Sequence, residues 1–268
     1  MKNDTQIKTI FTGFAALVIP LAFVAAVSIY IFVLGNPANF QGGNNANQPL
    51  PGNYLGVMFK GGIIVPILLT LLLMVLTFGL ERYITINKAK GKHSVNRFVA
   101  KVHQLLAAKN LDEAKTECDS QKGAVASVLR AGLEKYGELI SEKTLNRDQK
   151  VIAIKQEIEE ATSLELPMLE QNLVILATIA SIATLMGLLG TVIGMIRAFA
   201  ALANAGAPDA IALATGISEA LVNTALGILT SALAIILYNY FTTKIDKITY
   251  SIDEAGMAVV QNFAAHYN

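Results

Sequence analysis

A single cysteine, Cys118, in 268 residues excludes an internal disulfide framework and a thiolate zinc cluster, and reads as a partly buried thiol. Charge is scarce as well. Charged residues make up 15% of the chain, against roughly 25% in ordinary soluble domains, while hydrophobic residues reach 53% and mean hydropathy is +0.50. So much apolar surface needs lipid to cover it. The net charge of +1 supplies no basic field to gather phosphates, so nucleic acid is not expected as a partner. His93, His103 and His266 show no metal-ligand spacing and no GxxxxGK[ST] loop occurs, so no metal, nucleotide or other cofactor is expected and the chain does not read as an enzyme.

The charges that remain are unevenly placed, and four long stretches are almost free of them. These run over residues 10–34, 61–80, 173–196 and 220–243. Each reaches the roughly 20 residues that a helix needs to cross about 30 Å of hydrocarbon, and backbone in lipid must bond internally. The first stretch exceeds the roughly 7–15 residues of a signal-peptide core and reads as a retained helix. The expectation is an all-α, polytopic membrane helix bundle with four transmembrane helices and long helices extending into the cytoplasm.

Fifteen of the 21 Lys and Arg residues lie between Arg82 and Lys155, whereas the 35–60 loop has only Lys60. By the positive-inside rule residues 82–170 are cytoplasmic, and parity places both termini there too, with Lys2, Lys8, Lys244 and Lys247 in agreement. The 35–60 segment, rich in Asn, Gly and Pro, reads as an irregular external loop. Five parts follow: 1–60, a first membrane helix and its loop; 61–81, a second membrane helix; 82–170, a cytoplasmic helical domain; 171–243, a pair of membrane helices; and 244–268, a cytoplasmic helix.

Within the cytoplasmic part, Phe98, Val102, Leu105 and Leu106 form one apolar face and Val125, Val128, Leu129 and Leu133 another, with Asn110 capping a helix between them. From Arg147, the positions Val151, Ile154, Ile158, Ala161 and Leu164 keep helical spacing toward the third membrane helix, with Pro167 as a kink and no Gly or Asn stop signal. Ile245, Ile248, Ile252 and Val259 continue the fourth helix beyond Lys244.

The third stretch places Ala180, Thr184, Gly187, Thr191, Gly194 and Ala198 on one small, mildly polar stripe, with Gly190 and Gly194 in GxxxG spacing. The fourth carries a second small stripe, Gly216, Ala220, Thr224, Gly227 and Ser231. Such stripes serve close helix packing, and threonine there often bonds its own helix. Glu219 is an acidic residue at the very start of the fourth stretch, read as lying within that helix, and is flanked at i−4 and i+4 by Thr215 and Asn223. An ionisable group at membrane depth usually faces a bundle interior or a water path, and burial favours its neutral form, which makes it a candidate proton site. Arg197 is a possible countercharge, although the simpler reading has it snorkel to the interface. Asp209 reads as a helix-start residue. On an ideal helix Thr224 lies about 140° from Glu219, so one narrow channel cannot receive both from a single helix face.

The run from Gly187 to Phe199, GLLGTVIGMIRAF, and the run from Gly216 to Gly227, GISEALVNTALG, followed by Tyr238-Asn-Tyr-Phe241, resemble the MotA/TolQ/ExbB proton-channel family, its ExbB branch most closely. The resemblance covers roughly Gly61 to the C-terminus. It implies a homopentamer in a bacterial inner membrane, set around an ExbD-like or TolR-like single-span partner and coupling proton entry to work on a TonB-like protein. It assigns a proton pathway to Glu219, Thr191 and Thr224, with Asn223 beside them. The small stripes themselves mark Thr184, Gly187, Gly190, Gly194, Gly216 and Gly227 as a packing and central pore surface, with Thr191 expected to face the partner helices. Family members commonly have proline where this chain has Thr184 and Leu233, and three spans where it shows four. A TolQ-like or gliding-type motor and a structural scaffold without conduction are the alternatives. A small-solute transporter is disfavoured by the lack of an inverted repeat.

Overall fold

The computed structural model describes residues 2–203 and 209–267, with side chains in the first helix from Phe14 onward. The side chains of Lys2 and Lys8, and most of the turn expected over 204–210, lie outside the described residues. Among these residues nine α-helices occur and no strand: α1 (Lys2–Ser28), α2 (Tyr54–Phe59), α3 (Ile64–Ala89), α4 (Val95–Ala107), α5 (Leu111–Gln121), α6 (Ala124–Ser141), α7 (Arg147–Glu170), α8 (Leu173–Ala203) and α9 (Ala210–His266). The four spans sought from hydropathy are all helical, over Phe14–Leu34, in α3, in the α7–α8 run and in α9. The chain is therefore an all-α membrane helix bundle. Contacts divide it into two units, residues 1–80 with 174–238, and residues 81–173 with 239–268.

In the first unit α1 and α3 pack through Ala26, Ile64, Val65, Leu68 and Leu69, and Leu226 of α9 joins the same cluster. Phe14 meets the buried Phe78 edge-on. The opposite faces, Leu17, Leu21, Phe23 and Val24 on α1 and Leu185, Leu188, Val192 and Ile196 on α8, are exposed and apolar, as lipid or another apolar helix requires. α1 ends in a π-helical turn, Ile29–Leu34, whose last carbonyls are taken up by the Asn39 amide at 2.8 and 3.0 Å.

The loop after it is irregular but closely tied. Two 3-10 turns, Pro37–Asn39 and Gln41–Gly43, and an isolated bridge between Phe40 and Pro49 lead into α2, which Asn53 caps through the Gly56 amide.

The second unit is built as the apolar spacings suggest. Phe98, Val102 and Leu106 are buried on α4, Val125, Val128, Leu129 and Leu133 on α6, and Ile245, Ile248, Ile252 and Val259 on α9. Ile154, Ile158 and Leu169 are buried on α7, whereas Leu164, which shares the predicted helical spacing, is 68% exposed. Ile158 sits where α6 and α9 each present a glycine, Gly132 and Gly256, leaving no room for a Cβ on either. Asn110 caps α5, and Asn146 and Gln149 form a reciprocal capping box on α7.

One expectation fails here. α7 does not run unbroken into α8: Asn172 adopts a left-handed conformation (φ 64°) and separates them, while Pro167 stays inside α7. Asparagine tolerates that conformation better than other non-glycine residues, so a stop signal was present after all. Arg82, fully buried, donates to the Leu169 carbonyl at 3.2 Å and pairs with Glu81, which also accepts from Asn172 at 3.3 Å. The guanidinium thus takes up a helix-end carbonyl that the break leaves without an intrahelical partner.

Cys118 is buried, and burial pushes its thiol up from 9.0 to about 12. Burial, reinforced by Tyr267, also pushes the Tyr136 phenol up to about 12, and that hydroxyl donates to Asn262 at 2.9 Å. Both groups fold in their neutral form. Their contribution is complete below the unfolded values and is lost as pH rises toward about 12. Thermal unfolding followed by circular dichroism should show stability falling between pH 9 and 12, and less steeply in Cys118→Ala. An unchanged slope in that variant would contradict the burial of the thiol.

Candidate functional site

The small stripes of α8 and α9 meet each other within one chain. A Cβ on Gly194 would lie 2.7 Å from the Gly216 carbonyl, one on Gly216 would lie 2.7 Å from the Ala198 amide, and one on Gly227 would lie 2.8 Å from the Cα of Gly187. The two backbones are in contact, which only hydrogen side chains permit. Gly190 has the same function against a side chain, since its face is filled by the Asn223 amide group. Ser231 adds a hydrogen bond to the Ala180 carbonyl at 2.6 Å. Thr184 bonds only back to Ala180, at 3.4 Å.

This contact sets the register of the polar residues, and it sorts the four proposed for a proton path into two pairs. Thr191 and Thr224 meet hydroxyl to hydroxyl across the seam, and Thr191 also reaches the Gly187 carbonyl at 3.2 Å. Both side chains are half-buried, at the margin of the seam rather than in its middle. Thr191 therefore does not face solely outward, as expected for a partner-facing residue, because its hydroxyl is directed at α9.

Glu219 and Asn223 point elsewhere on α9. The Glu219 carboxylate is buried and accepts from one guanidinium nitrogen of Arg197 at 2.7 and 2.9 Å. Arg197 thus reaches across to Glu219 instead of snorkelling away, even though its own side chain is 54% exposed. Glu219 therefore has a basic partner within the chain. Next to it, Asn223 donates to the Gly61 carbonyl at 2.8 Å, while its side-chain oxygen is buried with no partner. Thr224 stands five positions beyond Glu219, a rise of about 7.5 Å, so the two pairs are stacked along the helix pair. The 140° offset accompanies different surroundings: the threonine pair meets across the seam itself, whereas Glu219 lies between Arg197 of α8 and Gly62 just before α3.

Asp209 accepts from the amides of Ile211 and Ala212 at 3.0 Å each and caps α9, as the sequence suggests. Among the described residues no group of three His, Cys, Asp or Glu side chains is placed to hold a metal.

Four apolar spans, a glycine-mediated helix pair and a buried carboxylate paired with an arginine beside it define a multi-pass membrane protein with polar residues held between helices. Residues 120–254 match the MotA/TolQ/ExbB proton channel family, and the chain belongs to it. That is a channel family and not one of enzymes. Relatives include the Tol-Pal system protein TolQ of Pseudomonas aeruginosa, 32% identical over 120 residues, or 45% of this chain and 52% of that one. The biopolymer transport protein ExbB of Aquifex aeolicus is 32% identical over 117 residues, covering 44% and 71%. A putative biopolymer transport protein ExbB homolog of Methanothermobacter thermautotrophicus is 28% identical over 196 residues, covering 73% and 65%. The chain spans about half the length of the TolQ relatives it matches.

Removing one partner of the ion pair leaves the other charge uncompensated, whereas removing both leaves none. Arg197→Ala should destabilise the protein by about 1–3 kcal/mol, less than for a wholly buried pair because Arg197 is half-exposed. The double variant Arg197→Ala/Glu219→Gln should recover most of that loss in thermal unfolding in lipid nanodiscs. A double variant as unstable as the sum of the two single ones would show that the pair is not coupled.

Proposed function

We propose that this chain is the ring-forming subunit of a proton-driven motor of the ExbB type in a bacterial inner membrane. The observation that carries the reading is the meeting of Thr191 and Thr224, one from each family motif, at the half-exposed margin of the α8–α9 seam. A hydroxyl donates and accepts at once, so two in contact can order a water file along the seam. In this reading five copies form a ring whose lumen is bounded by that margin. The single-span helix of an ExbD-like or TolR-like partner fills it and supplies a carboxylate, since Asp209 is used as a cap and Glu219 is already paired. Protons pass between that carboxylate and the threonines, and Glu219 and Arg197 fix the charge at one end of the path. The work is delivered to a TonB-like protein.

The five-part division of the chain belongs to the same reading, with residues 82–170 and both termini in the cytoplasm and the 35–60 loop outside, as the lysine and arginine distribution supports. A TolQ-like role is the second reading, favoured by the relatives of that name. A scaffold without conduction is the third, favoured by the in-chain countercharge of Glu219.

Sealed vesicles containing the chain with its partner separate these readings. Glu219→Gln should reduce proton flux to background while native mass measurement still shows the pentamer, and Thr191→Ala and Thr224→Ala should each reduce flux less. No flux above background in vesicles of the unsubstituted chain would leave only the scaffold, and undiminished flux in all three variants would take the proton path away from these residues.

A further inference from the structure

The segment between α1 and α3 lies outside the residues matched by the family, yet it reaches the Glu219 carboxylate directly. Its own folding comes first. Asn39, buried, donates to the Val33 and Leu34 carbonyls and accepts from Asn53 at 3.0 Å. Phe59 stacks on Tyr30 with ring centroids 4.7 Å apart, meets Phe40 edge-on, and offers its carbonyl to the Tyr30 hydroxyl at 3.1 Å. The Lys60 ammonium closes the far turn by donating to the Asn45 and Ala46 carbonyls at 3.0 Å each. These bonds tie residues 36–62 to one another and to the end of the first span, so the segment is not a loose connection.

That unit is tied to α9 at two points. Gln48 donates to the Thr215 hydroxyl at 3.0 Å, and Asn223 donates to the Gly61 carbonyl at 2.8 Å. Thr215 and Asn223 stand one turn before and one turn after Glu219, so the two ties straddle it. Between them, Gly62 has a positive φ of 75°, and a Cβ there would overlap the Glu219 carboxylate oxygen. The backbone of the segment therefore lies on the carboxylate itself. Glu219 is covered by Gly62 on one side and paired with Arg197 on another, and the exposed member of the pair is the arginine.

We propose that residues 36–62 form a cap that controls access to Glu219 from the loop side of the membrane, with Gln48 as its releasable latch and Gly62 and Asn223 as positioning residues. The Gln48–Thr215 bond joins two neutral groups at a half-buried site, whereas the Asn223–Gly61 bond is buried. Opening therefore starts at Gln48. Local opening of this kind exposes a group without unfolding the protein. The proposal rests on the reading of Glu219 as part of the proton path for its functional meaning, but its physical content is access.

The test labels Glu219 in sealed vesicles of the full chain with a water-soluble carbodiimide and an amine added from the loop side, with the adduct read by peptide mass spectrometry. Gln48→Ala should label about fivefold faster than the wild type, the factor that loss of one neutral hydrogen bond gives. A second variant, Gln48→Cys/Thr215→Cys in a Cys118→Ser background, should label at or below the wild-type rate when oxidised and faster once reduced. Equal rates in wild type, Gln48→Ala and both redox states of the cysteine variant would overturn the cap. Proton flux in Glu219→Gln is a separate measurement, so the cap and the proton-path reading fail independently.

Discussion

Backbone contact between α8 and α9 is the constraint on which the polar arrangement depends. Gly194 against Gly216 and Gly187 against Gly227 hold the helices closer than any side chain would allow. In lipid there is little hydrophobic gain from bringing apolar helices together, so close packing and hydrogen bonds must hold the pair. The register of the glycines decides which polar residues meet. A shift by one residue would turn Thr224 away from Thr191 and Glu219 away from Arg197, and both pairs would be lost together.

The cost of placing a carboxylate at this depth is met locally. Arg197 supplies the opposite charge, and Gly62 has no side chain that would push the carboxylate aside. Asn223 joins the two regions: it fills the face of Gly190, ties down Gly61 and keeps one buried acceptor without a partner. An unpaired buried acceptor is costly and calls for a water or a partner group.

Much of this was legible in the residues. The spans followed from apolar length, and the buried faces of α4, α6 and the end of α9 from spacing, because helical period and burial are coupled within one element. The glycine stripes were legible for the same reason. What escaped was register between elements. Angles around a single helix say that Thr224 and Glu219 diverge, but not that Thr224 meets Thr191 while Glu219 is enclosed by Arg197 and the backbone before α3. Arg197 was assigned to the interface because that is the usual course of an isolated arginine. The available signal was its opposite charge near the facing ends of two helices only a few residues apart in sequence. The break at Asn172 depends on a backbone conformation that asparagine tolerates but does not dictate. The ties made by Asn39, Gln48 and Asn223 join residues up to 167 apart in sequence, and no local pattern reveals them.

The central claim is that the two motif threonines meet inside one chain and not between neighbouring copies. Replacing Thr191 and Thr224 with cysteine in a Cys118→Ser background and oxidising in native membranes tests it directly. The account predicts a disulfide within each monomer, seen as a crosslinked peptide pair from protein that runs as a single chain without reductant. Disulfide-linked dimers and higher ladders in place of the internal bond would place the contact between subunits and contradict the account.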